Sequence, residues 1–375
     1  MKPKILLPIF VAAVGFCSCE SFSDMNTNPN MPAEVTPDLL LPKVCQDAFT
    51  RGQDGMYADK MVIQTDGHNS EQFFEWNRGS FDTYNNELLQ VEKMREEAER
   101  TGDTAYVPLY KFFRAYHYYN LTLHFGDIPY SDAMKGQSQA NYTPEYDTQE
   151  EVFAGILRDL DEAEEGLAAS PDVDVIEGDI IYDGDKLAWR KLVNSFHLKV
   201  LMTLSRKTTV GGLDVRQEFA RVARLPLMES NADNGQLTYI DQEGNRYPQF
   251  NAQWSGYYMD STYVARMAER RDPRLFLFCL PTTTAADAGM AVNDFAAYRG
   301  GNPIVPYGNN ITLVRNGQIS QINSRFRLDP IVEPTMLMGY AELQQVLAEA
   351  VVRGWIQGDA KQYYENGVKA SFSFY

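Results

Sequence analysis

MGYAELQQVLAEAVVRGWIQGDAKQYYENGVKAS, residues 338–371, reads as two helical runs broken at Arg353-Gly354 and again at Gly358-Asp359. Glycine punctuates helices because it enters backbone conformations that a Cβ disfavours. Small residues Ala341, Ala348 and Ala350 alternate with the large Trp355 and Tyr363. This is the pattern of a helix-turn-helix repeat of about 34 residues that packs tightly on its neighbour. Such a unit cannot bury its apolar face alone, so one copy predicts others upstream.

Candidates for those copies are present. TQEEVFAGILRDLDEAEEGL begins at Thr148 with Glu151 three residues on, the spacing of a capping box, and its apolar residues from Val152 to Leu167 recur every three or four positions. Leu192, Phe196, Val200 and Leu204 repeat the spacing after a polar turn at Asp183 to Asp185. Leu109, Phe112, Phe113, Tyr116 and Tyr119 form an aromatic version that ends at Gly126 and Pro129. The fold class is therefore mainly α. The acidic run DLDEAEE falls on the solvated side of its helix, which makes it a poor catalytic carboxylate pair.

Between about residues 226 and 334 the chain becomes rich in Gly, Pro, Asn and aromatics, and helical periodicity fades apart from a short run near Ser261 to Arg270. Loops carried on a rigid scaffold are the usual place for a binding surface. ITLVRNGQIS, with Asn316-Gly317 between short β-prone stretches, predicts a small hairpin.

The first residues read as an export signal: basic Lys2 and Lys4, then an apolar segment from Ile5 to Phe16. Its length corresponds to about 18 Å of helix against a bilayer core of roughly 30 Å, too short to span. FCSCE follows. A zinc site needs about four Cys or His ligands, and no histidine lies nearer than His68. A lipoprotein signal instead ends in a small residue directly before the cysteine to be acylated. Ser18 precedes Cys19 whereas bulky Phe16 precedes Cys17, so Cys19 is the expected lipidated first residue, with 1–18 as signal peptide and 19–42 as tether. Acyl chains anchor by burying methylenes at about 0.8 kcal/mol each. Cys45 and Cys279 show no disulfide spacing and read as buried thiols, a long-range disulfide being the alternative.

A formal net charge of -17 and the lack of a Lys/Arg-rich cluster exclude nucleic acid as a partner by simple repulsion. HExxH, G-x-S-x-G, P-loop and G-x-G-x-x-G motifs are absent, so no cofactor is expected. His117 and His124 are seven apart on one helical face, and the surrounding aromatics make them buried, hydrogen-bonded histidines rather than metal ligands. Asp241, Glu243 and Asn245 alternate as in calcium loops, but the later bidentate glutamate is missing. For ligand binding, sugar rings need flat apolar faces beside fixed donors and acceptors. Trp254, Tyr257 and Tyr258, near Asn251 and Gln253, offer both.

The cysteine signal, NTNPNMPAEVTPDLLLP, YYNLTLHFGDIPYSDA, PEYDTQEEVFAGILRDLDEA, GDIIYDGDKLAWRKLVNSFHLKVLMTLSRK, RRDPRLFLF and YAELQQVLAEAVVRGWIQGDAKQYYENGVKAS occur in one order along nearly the whole chain. Together they resemble the SusD/RagB family of nutrient-binding outer-membrane lipoproteins. The resemblance implies a tetratricopeptide-like helix-pair scaffold over 43–375 with a ligand site in its loop-rich part. It also implies capture of a polysaccharide, oligosaccharide or peptide at the cell surface, and delivery to a SusC-like TonB-dependent transporter without covalent chemistry. Family members tend to place ligand aromatics early, which adds Trp76, Asn77 and Arg78 as candidates. They also continue well beyond KASFSFY, so the chain reads as C-terminally truncated, with Phe372, Phe374 and Tyr375 expected to be poorly covered. A surface glycoside hydrolase and a protein-binding helical-repeat adaptor are the competing readings.

Overall fold

The computed structural model describes residues 35–49, 55–75, 79–170, 175–253 and 256–375. Cys19, Trp76, Asn77, Arg78 and Trp254 lie outside them. The longer helices are α1 Pro37–Phe49, α2 Glu87–Thr101, α3 Val107–Phe125, α4 Gln149–Ala169, α5 Lys186–Thr203, α6 Val215–Val222, α7 Ser261–Glu269, α8 Tyr307–Arg315, α9 Tyr340–Val352 and α10 Ala360–Phe374. Short strands β1 Val62–Gln64 and β3 Tyr257–Met259 pair antiparallel, as do β2 Gly235–Leu237 and β4 Thr335–Met338.

From α1 to α5 each helix packs on the next, α9 lies against α5, and α9 packs on α10 as the opening sequence requires. The apolar stripes meet in one core, where Trp189 is fully buried and Phe112, Phe113 and Tyr182 meet its ring at centroid distances of 5.8, 5.7 and 5.3 Å. Edge-on ring contacts of this kind add to the burial of the rings themselves. The capping box of α4 forms as the spacing predicts: Glu151 N–H donates to Thr148 Oγ1 at 3.3 Å and Thr148 N–H to Glu151 Oε2 at 2.8 Å.

A second, smaller core gathers Tyr57, Val62, Met259, Val264, Leu275, Cys279 and Tyr298 in the loop-rich part. Cys45 lies in the large core and Cys279 in this one; both are buried and unbonded, so no long-range disulfide joins them.

Four expectations are corrected. The acidic run DLDEAEE does not lie wholly on the solvated side of α4, because Asp159 and Glu164 are buried and ion-paired, Asp159 with Lys111 and Arg114 and Glu164 with Arg190. The stretch read as a tether to residue 42 already contains the start of α1 at Pro37, because proline suits a first helical turn and Leu41, Cys45 and Phe49 bury one face. The expected hairpin is instead helix α8: Asn316 N–H donates to Thr312 O at 3.1 Å, and Gly317 at φ 65° ends the helix. An Asn-Gly pair serves a helix C-terminus as readily as a hairpin turn. His117 is buried, but its Nε2 meets no hydrogen-bond partner among the described residues, while His124 is exposed on the last turn of α3 with Nδ1 2.6 Å from Asn120 O.

At the other end, Phe372 and Tyr375 are exposed, yet each ring has a neighbour. Arg274 lies 4.3 Å from the centre of Phe372, and Phe278 meets Tyr375 at 4.9 Å.

Candidate functional site

Two stretches far apart in sequence, the early region and the loop around Tyr257, are hydrogen-bonded to each other. Gln64 lies opposite Tyr257 across the β1–β3 pair, and Thr65 N–H donates to Gly256 O at 3.1 Å. Gly256 has φ 75°, a left-handed conformation that favours glycine, and a Cβ there would lie 2.0 Å from Asp66 Oδ1, so a side chain would strain the backbone and displace the Asp66 carboxylate.

Alternation along β3 sends neighbouring side chains to opposite faces. The Tyr257 ring lies 5.9 Å from that of Tyr57, whose hydroxyl donates to Gln64 Oε1 at 2.8 Å. Burial first, then the adjacent Tyr257, pushes the Tyr57 phenol well up, so it stays a neutral donor. Tyr258 instead accepts from Gln321 Nε2 at 3.0 Å and joins the scaffold. Asn251 is exposed at φ 58° and held through its N–H to Arg327 O at 2.8 Å, away from the β1–β3 register.

Gln72 locks the early region to this pair. Its side chain is buried, accepts from Gln64 N–H at 2.8 Å and donates to Pro303 O at 3.0 Å, while Lys60 Nζ donates to its main-chain carbonyl. Around it His68 stacks on Phe73 with centroids 5.2 Å apart and planes within 3°, and His68 Nε2 meets Glu75 at 2.7 Å. Phe74 is 56% exposed and sits under Lys60 Nζ at 4.3 Å. Both Phe74 and Lys60 hold φ 58°. Positive φ is an outlier for bulky residues, and such strain clusters at functional sites.

The two linked stretches carry exposed or half-exposed rings, Tyr257, Phe73 and Phe74, together with the Gln64 amide, itself bonded to Tyr57 and Asp66, and the Asp66 and Glu75 carboxylates, and form the shelf region. Flat apolar faces beside fixed donors and acceptors suit a sugar or peptide. Of the expected ligand residues, Tyr257 lies in this region. Gln72, Phe73 and Phe74 carry no such signal in the sequence, although they lie just before the candidates Trp76, Asn77 and Arg78.

Elsewhere, Asp161, His197 and Glu218 approach one another with metal-ligand chemistry, but Arg221 bonds to both carboxylates and supplies the positive charge there. A cleft of about 390 Å³ lies between α10 and β4, lined by Asn231, Tyr247, Glu333, Met336 and Phe374. Its Asn231 amide is committed to Ala370 O at 2.8 Å and Ser373 Oγ at 3.0 Å. No described helix is long and apolar enough to cross a membrane.

Stacked helix pairs that carry a loop-rich face define a class, the helical-repeat proteins. Residues 30–375 match the SusD-like family, described as starch-binding and associating with the outer membrane, and the chain belongs to it. Its fold is similar to that of a SusD homologue from Bacteroides fragilis, with 61% identity and a TM-score of 0.86 over 91% of this chain and 74% of that one. A Bacteroides vulgatus outer-membrane protein named for nutrient binding is 51% identical, with the same TM-score of 0.86 over 91% of this chain and 74% of that one. A second B. fragilis SusD homologue is 32% identical at a TM-score of 0.81, covering 91% of this chain and 73% of that one. No curated protein matches the chain in sequence.

Proposed function

We propose that this protein binds a glycan on the β1–β3 shelf and delivers it to a SusC-like TonB-dependent outer-membrane transporter without altering it covalently. The observation that supports the reading is the pairing of Gln64 with Tyr257, which joins the early stretch carrying Phe73 and Phe74 to the loop carrying Tyr257. Sugar C–H faces lie on Tyr257, Phe73 and Phe74, and hydroxyls exchange hydrogen bonds with Gln64, Asp66 and the segment that continues into Trp76, Asn77 and Arg78. Membership of an outer-membrane-associated family supports the location. The anchor in this reading is acylated Cys19, which holds the protein on the outer membrane facing out of the cell.

The test is incubation of the purified protein with soluble polysaccharides, following both retention and chain length. Retention with unchanged chain length is expected; shortened products would replace the binding reading with a glycosidase. Pull-down from membranes is expected to bring a TonB-dependent barrel, and that barrel without any glycan affinity would favour a protein-binding adaptor. Cys19→Ala is expected to abolish fatty-acid labelling while Cys17→Ala leaves it intact.

A further inference from the structure

The most exposed aromatic rings among the described residues do not belong to the shelf. They are Tyr142, 79% exposed, and Tyr146, 62% exposed; beside Tyr146, Phe125 at the end of α3 is 36% exposed, less than Phe74 of the shelf. They are held in place. Phe81 stacks on Phe125 with centroids 4.6 Å apart and meets Tyr146 edge-on at 6.4 Å. The backbone beside Tyr146 is fixed by Asp147, whose carboxylate accepts from Tyr130 N–H at 2.9 Å and Ser131 N–H at 2.8 Å. The Tyr142 ring rests over Gly136, its edge 3.4 Å from where a Cβ would stand.

The loop that presents Tyr142 is GQSQANYTP, residues 136–144, which holds no charged side chain although the chain is 23% charged. Its exposed polar groups are amides and hydroxyls of Gln137, Ser138, Gln139 and Thr143. Tyr142 beside uncharged donors and acceptors matches a neutral sugar chain, while exposed Glu145 next to Tyr146 and the net charge of -17 disfavour an anionic one. Gly79 lies directly against the Phe125 ring, 2.8 Å from its would-be Cβ. Glu75, on the shelf, is only four residues away in sequence. Extended chain spans at most about 3.6 Å per residue, so the backbone at Glu75 and at Gly79 is within roughly 14 Å.

We infer that Phe125, Tyr142 and Tyr146 form a second sugar-binding surface, and that the ligand is a neutral polysaccharide long enough to lie on both. This rests on the shelf being a glycan site. Two weak sites on one polymer raise its affinity through effective concentration, whereas a short oligosaccharide occupies one site and gains nothing.

The test is native electrophoresis in gels carrying amylopectin, xylan, galactomannan or mixed-linkage β-glucan, with calorimetry on a short oligosaccharide of whichever polymer retards the protein. Tyr142→Ala/Tyr146→Ala is expected to weaken retention by the polymer about tenfold while oligosaccharide affinity stays within about twofold. Phe74→Asn, on the shelf, is expected to weaken both. Both rings of the double variant are exposed, so an unchanged melting temperature confirms its fold. A folded double variant with unchanged polymer retention overturns the second surface and leaves the shelf standing. A wild type that no polymer retards overturns both. A dimer in sedimentation that the double variant loses would give this face to a second copy of the chain instead.

Discussion

Asp179 organises a loop with one carboxylate. It is buried and accepts from Ile181 N–H at 2.8 Å, Gly184 N–H at 2.9 Å and the Trp189 indole N–H at 2.7 Å. Removing the acceptor strands several donors at once, each costing about 1 kcal/mol or more when it stays buried. Asp179→Ala is therefore expected to cost about 2–4 kcal/mol in urea unfolding, with a shift in Trp189 fluorescence. His117 gives a pH signature. Burial lowers its pKa to about 4, below the roughly 6.5 of an unfolded histidine. The unfolded chain then takes up a proton that the folded chain refuses, so this contribution is complete above about pH 6.5 and falls by about 1.4 kcal/mol per unit down to about pH 4. His117→Phe should flatten that part of a stability–pH curve; an unchanged slope would show that His117 is accessible to protons when folded.

At the scale of elements, Gly256 decides whether β3 can dock. An alanine there costs about 1–2 kcal/mol for the left-handed backbone alone, and its Cβ would also collide with Asp66. Gly256→Ala is expected to speed amide exchange at Gln64 and Thr65 while α3, α4 and α5 stay protected; uniform loosening would mean that the strand pair and the helix stack unfold together. The same contrast explains what was legible beforehand. Helices α3, α4, α5, α9 and α10 bury one regular stripe, and a stripe is visible as spacing. The β1–β3 pair is three residues long on each side, and its register depends on a glycine and on the buried Gln72 amide reaching Pro303. Neither leaves periodicity in the chain. Helix α8 was missed for a related reason: an Asn-Gly pair is ambiguous until one knows whether residues 307–315 have a helix to end.

At the scale of the whole molecule, the helix stack and the smaller core divide the work. The large core supplies rigidity, and the smaller one, with β1 and β3 across it, carries the shelf at the surface. Around both lies a field set by 51 acidic and 34 basic side chains. Local ion pairs soften it little at a distance, because pairing removes equal charge of both signs. At low ionic strength that field reaches well beyond contact, the Debye length being about 30 Å at 0.01 M and about 10 Å at 0.1 M. A polyanionic glycan should be repelled before any ring or amide can act, whereas a neutral one approaches without penalty. Polygalacturonate is therefore expected to leave migration unchanged at low salt. Retention by a neutral polymer should vary less than about twofold from 0.01 M to 0.1 M salt, since no ion pair forms on binding. Retention by polygalacturonate that weakens as salt rises would require a cationic patch strong enough to overcome the field, and the ligand would then be an acidic sugar.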